Sequence, residues 1–191
     1  IKWTAKRIIK IEGIINLREA KYRVMPDRIE AGTYLIAAAL TEGNLKIVGI
    51  DPKIIKTEIN ILKKIGAKII QKKNKILIQG SKKIKNTNIN TSPYPGFPTD
   101  LQAQMMVLLC KANKKSYIRE EIFENRFMHV AELNRMGAKI SISGNKATIE
   151  GNIKFEAAEL MATDLRASVS LILAALSSKG KSIINRIYHL D

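Results

Sequence analysis

Cysteine is almost missing from this sequence. Cys110 stands alone, so no internal disulfide can close, and such usage fits a reducing, cytoplasmic setting. Within the apolar run "MMVLLC" it reads as a buried small hydrophobe and not as a reactive thiol. Histidine is nearly as scarce: His129 and His189 lie far apart, with no second His or Cys at ligand spacing. That excludes the usual zinc patterns, and neither a metal nor another cofactor is expected. No apolar run reaches the roughly 18 to 20 residues of a membrane span, so a membrane is not expected as a partner. The opening "IKWTAKRIIKIEG" has charge but no apolar h-region, cleavage site or initiator Met. It gives no sign of export, and the chain reads as a piece of something longer.

Acidic residues are also few, 17 against 33 Lys and Arg, giving a net charge of +16 and a pI near 10.0. An excess of that size ordinarily points to nucleic acid. Here the lysines are scattered through a chain rich in Ile and Asn, as an AT-rich coding bias would leave them. Only "QKKNK" and "SKKIK", between Gln71 and Lys85, are dense, and they read as a solvated hairpin edge. No aromatic residue interleaves with them, so the stacking half of a single-strand surface is lacking and nucleic acid is not the expected partner.

What the chain does have is apolar content, 46% over 191 residues, enough for one large domain or two small ones. It also has an internal repeat. "ILKKIGAKIIQKKNKILIQG" (61–80) aligns without a gap to "ELNRMGAKISISGNKATIEG" (132–151). Each reads as the end of an amphipathic helix, a glycine stop (Gly66, Gly137), a strand, a turn at Asn74 or at Gly144 with Asn145, and a second strand.

A second phrase occurs three times: "PDRIEAGTYLIAAALTEGNLKIVGI", "PTDLQAQMMVLLCKANKKSYIREEI" and "ATDLRASVSLILAALSSKGKSIINRI". Each starts with an acid, enters an apolar helix, breaks, and continues into a strand. Ile29, Leu101 and Leu165 fall at equivalent places, 72 and then 64 residues apart, a period that suits a small α/β unit. The implied unit is βαβαββ. Helices apolar nearly all round, such as 35–40, 105–109 and 169–176, need cover on more than one side. The units therefore place helices inside and sheets outside, around a common axis. Residues 1–24 read as the tail of a preceding domain with a crossing strand, using the strand pair "KIEG" and "YRV". Residues 25–191 read as a second domain of about two and a half units that stops at "RIYHLD".

The acid opening each apolar helix has an ordinary explanation as an N-cap, and for Asp27 that explanation is preferred. Asp100 and Asp164 have more around them: three prolines precede Asp100, and Arg166, two residues after Asp164, offers a fork suited to carboxylate or phosphate. In "EEIFENRFMHVAELNRMGAKI", Phe123, Glu124, Asn125 and Arg126 read either as a site-building loop or as a helix start capped by Asn125.

Taken in order and spacing, "PDRIEAGTYLIAAAL", "PGFPTDLQAQ", "FENRFMHVAELNRMGA", "MATDLRASVSLILA" and "NRIYHLD" resemble the second half of the UDP-N-acetylglucosamine enolpyruvyl transferase family. The resemblance covers essentially the whole chain. It implies an inside-out α/β barrel domain of the EPSP synthase-like kind. It also implies transfer of the enolpyruvyl group of phosphoenolpyruvate to the 3-hydroxyl of UDP-N-acetylglucosamine, with release of phosphate, on the way to peptidoglycan.

By the same resemblance, Asp100 takes the proton of the sugar hydroxyl and Asp164 is a second active-site acid. Arg126 and Arg166 grip phosphoenolpyruvate, and Ile122 and Phe123 line the uracil and sugar pocket. Arg28 and Glu124 support the interface between domains. The family's proton-donor cysteine, on a loop of the other half, has no counterpart here, since Cys110 lies in a helix. The missing N-terminal half of the same chain is thus an expected partner, and the 191 residues alone are expected to be inactive. The alternatives are the sister transferase acting on shikimate 3-phosphate, against which "FENRFMH" argues, a basic nucleic-acid-binding α/β protein, or a decayed fragment kept as scaffold.

Overall fold

A computed structural model describes residues 1–5 and 8–188. His189 and the end of the "NRIYHLD" phrase lie outside the described residues. An N-terminal hairpin pairs β1 (Lys2–Ala5) with β2 (Ile8–Lys10). The first unit follows as α1 (Arg28–Leu40), β3 (Asn44–Val48), a 3-10 turn at Pro52–Ile55, α2 (Lys56–Lys64), β4 (Lys68–Lys72) and β5 (Lys75–Gln79). The second is β6 (Asn88–Asn90), a 3-10 turn at Thr99–Leu101, α3 (Gln102–Cys110), β7 (Ser116–Arg119), α4 (His129–Arg135), β8 (Ile140–Ser143) and β9 (Lys146–Ile149). The third has β10 (Glu159–Met161), α5 (Leu165–Leu176) and β11 (Ile183–Asn185).

The repeat seen in the sequence is a repeat of structure. The second sheet runs β6-β7-β9-β8, with β6 parallel to β7 and the rest antiparallel; the first runs β3-β5-β4 in the matching order, and β10 lies parallel to β11. Both glycine stops close their helices alike. Gly66 and Gly137 take positive φ, and the next residue's amide reaches back to the last turn, Ala67 to the Leu62 carbonyl and Ala138 to that of Leu133, each at 3.0 Å. The hairpin turns likewise use positive φ at Asn74 and Gly144.

The helices sit inside. All nine residues of α3 are buried, and α3 packs between α1 and α5 while touching β7 and β9 of its own unit. Burying a side chain such as Met105, Met106, Leu108 or Leu109 contributes roughly 1.5–3 kcal/mol, so this helix anchors the core. The strands keep one face to solvent, as in β4, where only Ile69 is buried. Cys110 is fully buried, and desolvation pushes its thiol up to about 12, leaving an inert core residue.

Two expected strands do not form. β2 ends at Lys10, because the hairpin register pairs Lys10 with Lys2 and only Ile1 lies beyond, so most of "KIEG" has nothing to pair with. "YRV" carries no strand either: Tyr22 and Val24 are 85% and 80% exposed and Pro26 follows closely, so neither burial nor a ladder holds the segment. "SKKIK" is no hairpin edge but the connection from β5 to β6, pinned by buried Ile84.

Candidate active site

Asp100 stands on the 3-10 turn ahead of α3, and the turn's capping position is Pro98, with no side-chain cap. Asp100 is therefore not a helix cap, and α3 itself begins two residues later. The preceding loop is braced locally, by Ser92 N–H to the Phe97 carbonyl at 2.9 Å and Gly96 N–H to that of Pro93 at 2.8 Å. It is tied to α2 through the Thr57 hydroxyl, which donates to the Pro95 carbonyl at 2.6 Å. Phe97, 2% exposed, fastens it to the core.

The loop presents Asp100 to two arginines. Arg126 Nη2 donates to Asp100 Oδ1 at 3.0 Å, and Arg166 approaches the same oxygen with Nε and Nη2, each at 3.0 Å. Among the described residues, Oδ2 takes no hydrogen bond. The side chains are 31%, 22% and 38% exposed in the order Asp100, Arg126, Arg166, so the cluster opens to solvent on one side.

Arg126 is held from two more directions. Its Nη1 donates to the Thr99 hydroxyl at 3.2 Å, and its guanidinium lies over the Phe123 ring, 4.7 Å from the centroid. Phe123, Ile122 and Glu124 line a concavity of about 760 Å³ that reaches Ile142 and Asn145 on the neighbouring hairpin. Asn125 takes positive φ inside this loop, and α4 starts after Met128 without a side-chain cap, so the capped-helix alternative for Asn125 fails. A second cavity, about 670 Å³, opens beside Asp100 and Arg166 between α1 and α5.

Asp164 and Asp27 are both caps. Asp164 Oδ1 accepts from the amides of Arg166 at 2.8 Å and Ala167 at 3.0 Å, and Asp27 Oδ1 accepts from Ile29 at 2.7 Å. Capping by Asp164 fixes the first turn of α5, and with it the origin of the Arg166 side chain. Arg28 lies apart from Asp100. It pairs with Glu58 at 3.1 Å and lies over the Tyr94 ring at 5.0 Å, bracing the proline loop from behind. Burial holds the Glu58 carboxyl above its usual range, against the opposing pull of a backbone hydrogen bond and Arg28.

Two neighbours of the cluster carry no signal in the sequence. His129 opens α4, 2% exposed; burial lowers it to about 4, opposed by Asp164 and reinforced by Arg126, so the imidazole is neutral at pH 7. Glu120, 3% exposed, bonds Thr99 and Thr91, though beside Glu121 it reads as one more solvated charge. Among the described residues, no group of three His, Cys, Asp or Glu converges as a metal would require, and no helix is long and apolar enough to cross a membrane.

Units of the βαβαββ pattern, complete in the second and partial in the first and third, bury their helices beneath their sheets and define an α/β fold in which one acid is clamped by two guanidinium groups. The chain belongs to the EPSP synthase (3-phosphoshikimate 1-carboxyvinyltransferase) family, whose sequence model matches residues 1–191. Over all 191 residues it is 86% identical to the UDP-N-acetylglucosamine 1-carboxyvinyltransferase of Pelagibacter ubique (strain HTCC1062), covering 46% of that protein. Over 183 residues, 96% of the chain, it is 52% identical to the Geotalea daltonii protein of that name, covering 44% of it. The chain thus spans less than half the length of these curated relatives. The enolpyruvyl transferase NikO from Streptomyces tendae superposes with a TM-score of 0.80 at 27% identity, over 87% of this chain and 40% of its own. EPSP synthase from Acinetobacter baumannii shares the fold, with a TM-score of 0.67 at 16% identity over 86% of this chain and 40% of its own.

Proposed function

We propose that this chain is the C-terminal half of an enzyme that transfers the enolpyruvyl group of phosphoenolpyruvate to the 3-hydroxyl of UDP-N-acetylglucosamine and releases phosphate. The step commits the sugar to peptidoglycan, in the cytoplasm. The observation that carries the reading is the Asp100 clamp, in which one carboxylate oxygen takes both arginines and the other is left over. Asp100 Oδ2 accepts the sugar hydroxyl proton as the oxygen attacks the middle carbon of phosphoenolpyruvate. Arg126 and Arg166 turn their remaining N–H groups to the phosphate and carboxylate; the adduct, protonated at the methylene carbon, then expels phosphate and gives up one methyl proton, which restores the double bond. Asp164 fixes Arg166 from the start of α5. Ile122 and Phe123 form the apolar wall against the uracil and sugar, and Glu124 lines the same rim, while Arg28 supports the loop. No cofactor enters.

Residues 1–24 belong, in this reading, to the end of a first domain, which fits their exposure throughout the described part. The acid that protonates the methylene carbon comes from that domain, since Cys110 is sealed in the core. The 191 residues alone are accordingly inactive.

Names and motifs favour the nucleotide sugar over shikimate 3-phosphate as acceptor: the 86% and 52% identical relatives both carry it in their names. The test is phosphate release by the full-length gene product with phosphoenolpyruvate and each acceptor in turn. Release with UDP-N-acetylglucosamine, and its loss in Asp100→Ala, is the expected result. Release with shikimate 3-phosphate alone would transfer the reading to the sister enzyme.

A further inference from the structure

Glu120 is buried at the end of β7, 3% exposed, and among the described residues no ion pair reaches it. A carboxylate so placed needs donors. It has four: Oε1 accepts from the Thr91 hydroxyl at 2.8 Å and the amides of Ile122 at 2.9 Å and Phe123 at 3.2 Å, and Oε2 accepts from the Thr99 hydroxyl at 2.9 Å. Thr91, itself 1% exposed, accepts from the Glu121 amide at 2.8 Å. One side chain therefore gathers the strand before the proline loop, the turn before Asp100 and the start of the Phe123 loop.

The polarity of this network is fixed. Amides only donate, and a carboxylate only accepts, so the Thr99 hydroxyl spends its single hydrogen on Glu120. Its lone pairs are then left for Arg126 Nη1, which donates at 3.2 Å. Arg126 in turn reaches Asp100. We propose that Glu120 is a positioning residue for the enolpyruvyl transfer proposed above, setting Arg126 through the orientation of the Thr99 hydroxyl and the Phe123 loop through two backbone amides. It touches neither substrate.

Replacement by glutamine separates this role from simple packing. Glu120→Gln keeps the shape and can keep a side-chain oxygen on the backbone amides, but its NH2 then faces Thr99 as a donor and competes with Arg126 for the hydroxyl oxygen. In the full-length protein, Glu120→Gln should raise the KM for phosphoenolpyruvate about tenfold, with less than about a twofold change for the nucleotide sugar and an unchanged melting temperature. Thr99→Val should raise the same KM similarly, but with a lower melting temperature because Glu120 Oε2 loses its donor, and the phosphoenolpyruvate KM of the double variant should be no higher than that of either single one. Independently of turnover, the Arg126 Nε–H resonance should shift in Glu120→Gln.

Unchanged KM values with an unshifted resonance, or full additivity in the double variant, would overturn the positioning role. A full-length protein that turns over neither acceptor yet shows the shifted resonance would sink the proposed function while showing that Glu120 still sets Arg126.

Discussion

Arg166 reaches across 66 positions of chain to place Nε 3.0 Å from Asp100 Oδ1, the oxygen that Arg126 Nη2 also approaches at 3.0 Å. Two cations on one oxygen make Asp100 a competitor for any anion those arginines bind. Asp100→Asn should therefore separate binding from turnover. Inorganic phosphate, followed calorimetrically, should bind the variant more tightly, while enolpyruvyl transfer by the full-length protein falls roughly 10²- to 10⁴-fold, the range for a lost general base. Weaker phosphate binding in the variant would mean that Asp100 organises the arginines and does not compete with their ligand.

The two arginines differ in how they are held. Arg166 gives Asp100 both Nε and Nη2, whereas Arg126 divides itself between Asp100, Thr99 and the Phe123 ring. Lysine cannot reproduce either fork. Arg166→Lys and Arg126→Lys should each weaken phosphate affinity by about tenfold or more, from the loss of a charge-assisted hydrogen bond. Only Arg126→Lys should also alter the exposure of Phe123, read by the exchange rates of the loop amides.

His129 makes the fold sensitive to acid. Its folded-state value of about 4 lies below the ordinary 6.5, so the unfolded chain binds the proton first as pH falls. The stability supplied by the neutral imidazole is full above about pH 6.5 and is lost on the way down to about 4, on the order of 3 kcal/mol in total. Glu58, held above its usual range, works the other way, its cost easing as pH falls. Melting temperatures measured at pH 7, 5.5 and 4 should fall less steeply in His129→Gln than in the parent. Parallel curves would place the acid sensitivity elsewhere.

The glycine that ends each hairpin repeat, Gly80 and Gly151, is pressed against the loop leaving the inner helix. A Cβ at Gly80 would sit 2.5 Å from the Ala38 carbonyl oxygen and 2.8 Å from Glu42 Cα, and one at Gly151 would meet the Ala112 carbonyl and lie 2.7 Å from that of Lys114. Backbone cannot yield as a flexible side chain does. Each alanine substitution should cost about 1–3 kcal/mol in urea denaturation, and the two costs should add because they fall in different units. Neutral substitutions would show that the sheets slide freely over their helices.

Much of the fold was legible because its devices are local. Gly66 and Gly137 stop helices by backbone conformation, Asn74 and Gly144 turn hairpins the same way, and Asp27 caps α1 with its own side chain. "YRV" failed as a strand because pairing is a property of two segments, and its apolar residues found no surface. The cluster of Asp100, Arg126 and Arg166 joins residues 26 and 66 positions apart, a closure that no periodicity encodes; only the resemblance to a family pointed to it. Glu120 was invisible for a related reason. Its burial depends on the proline loop folding over the end of β7, and "REEI" by itself looks like a wet strand end.

The clamp also depends on how the units pack against each other. Asp100 and Arg126 come from the second unit and Arg166 from the third, brought together because α3 packs on α5. One copy of the unit folded by itself would hold an acid with one guanidinium, and the two-cation grip would be missing. The cluster is a product of the seam between units, and it exists only while α3 stays packed on α5. A change that moved α3 against α5 would open the clamp as surely as the loss of one of its charges.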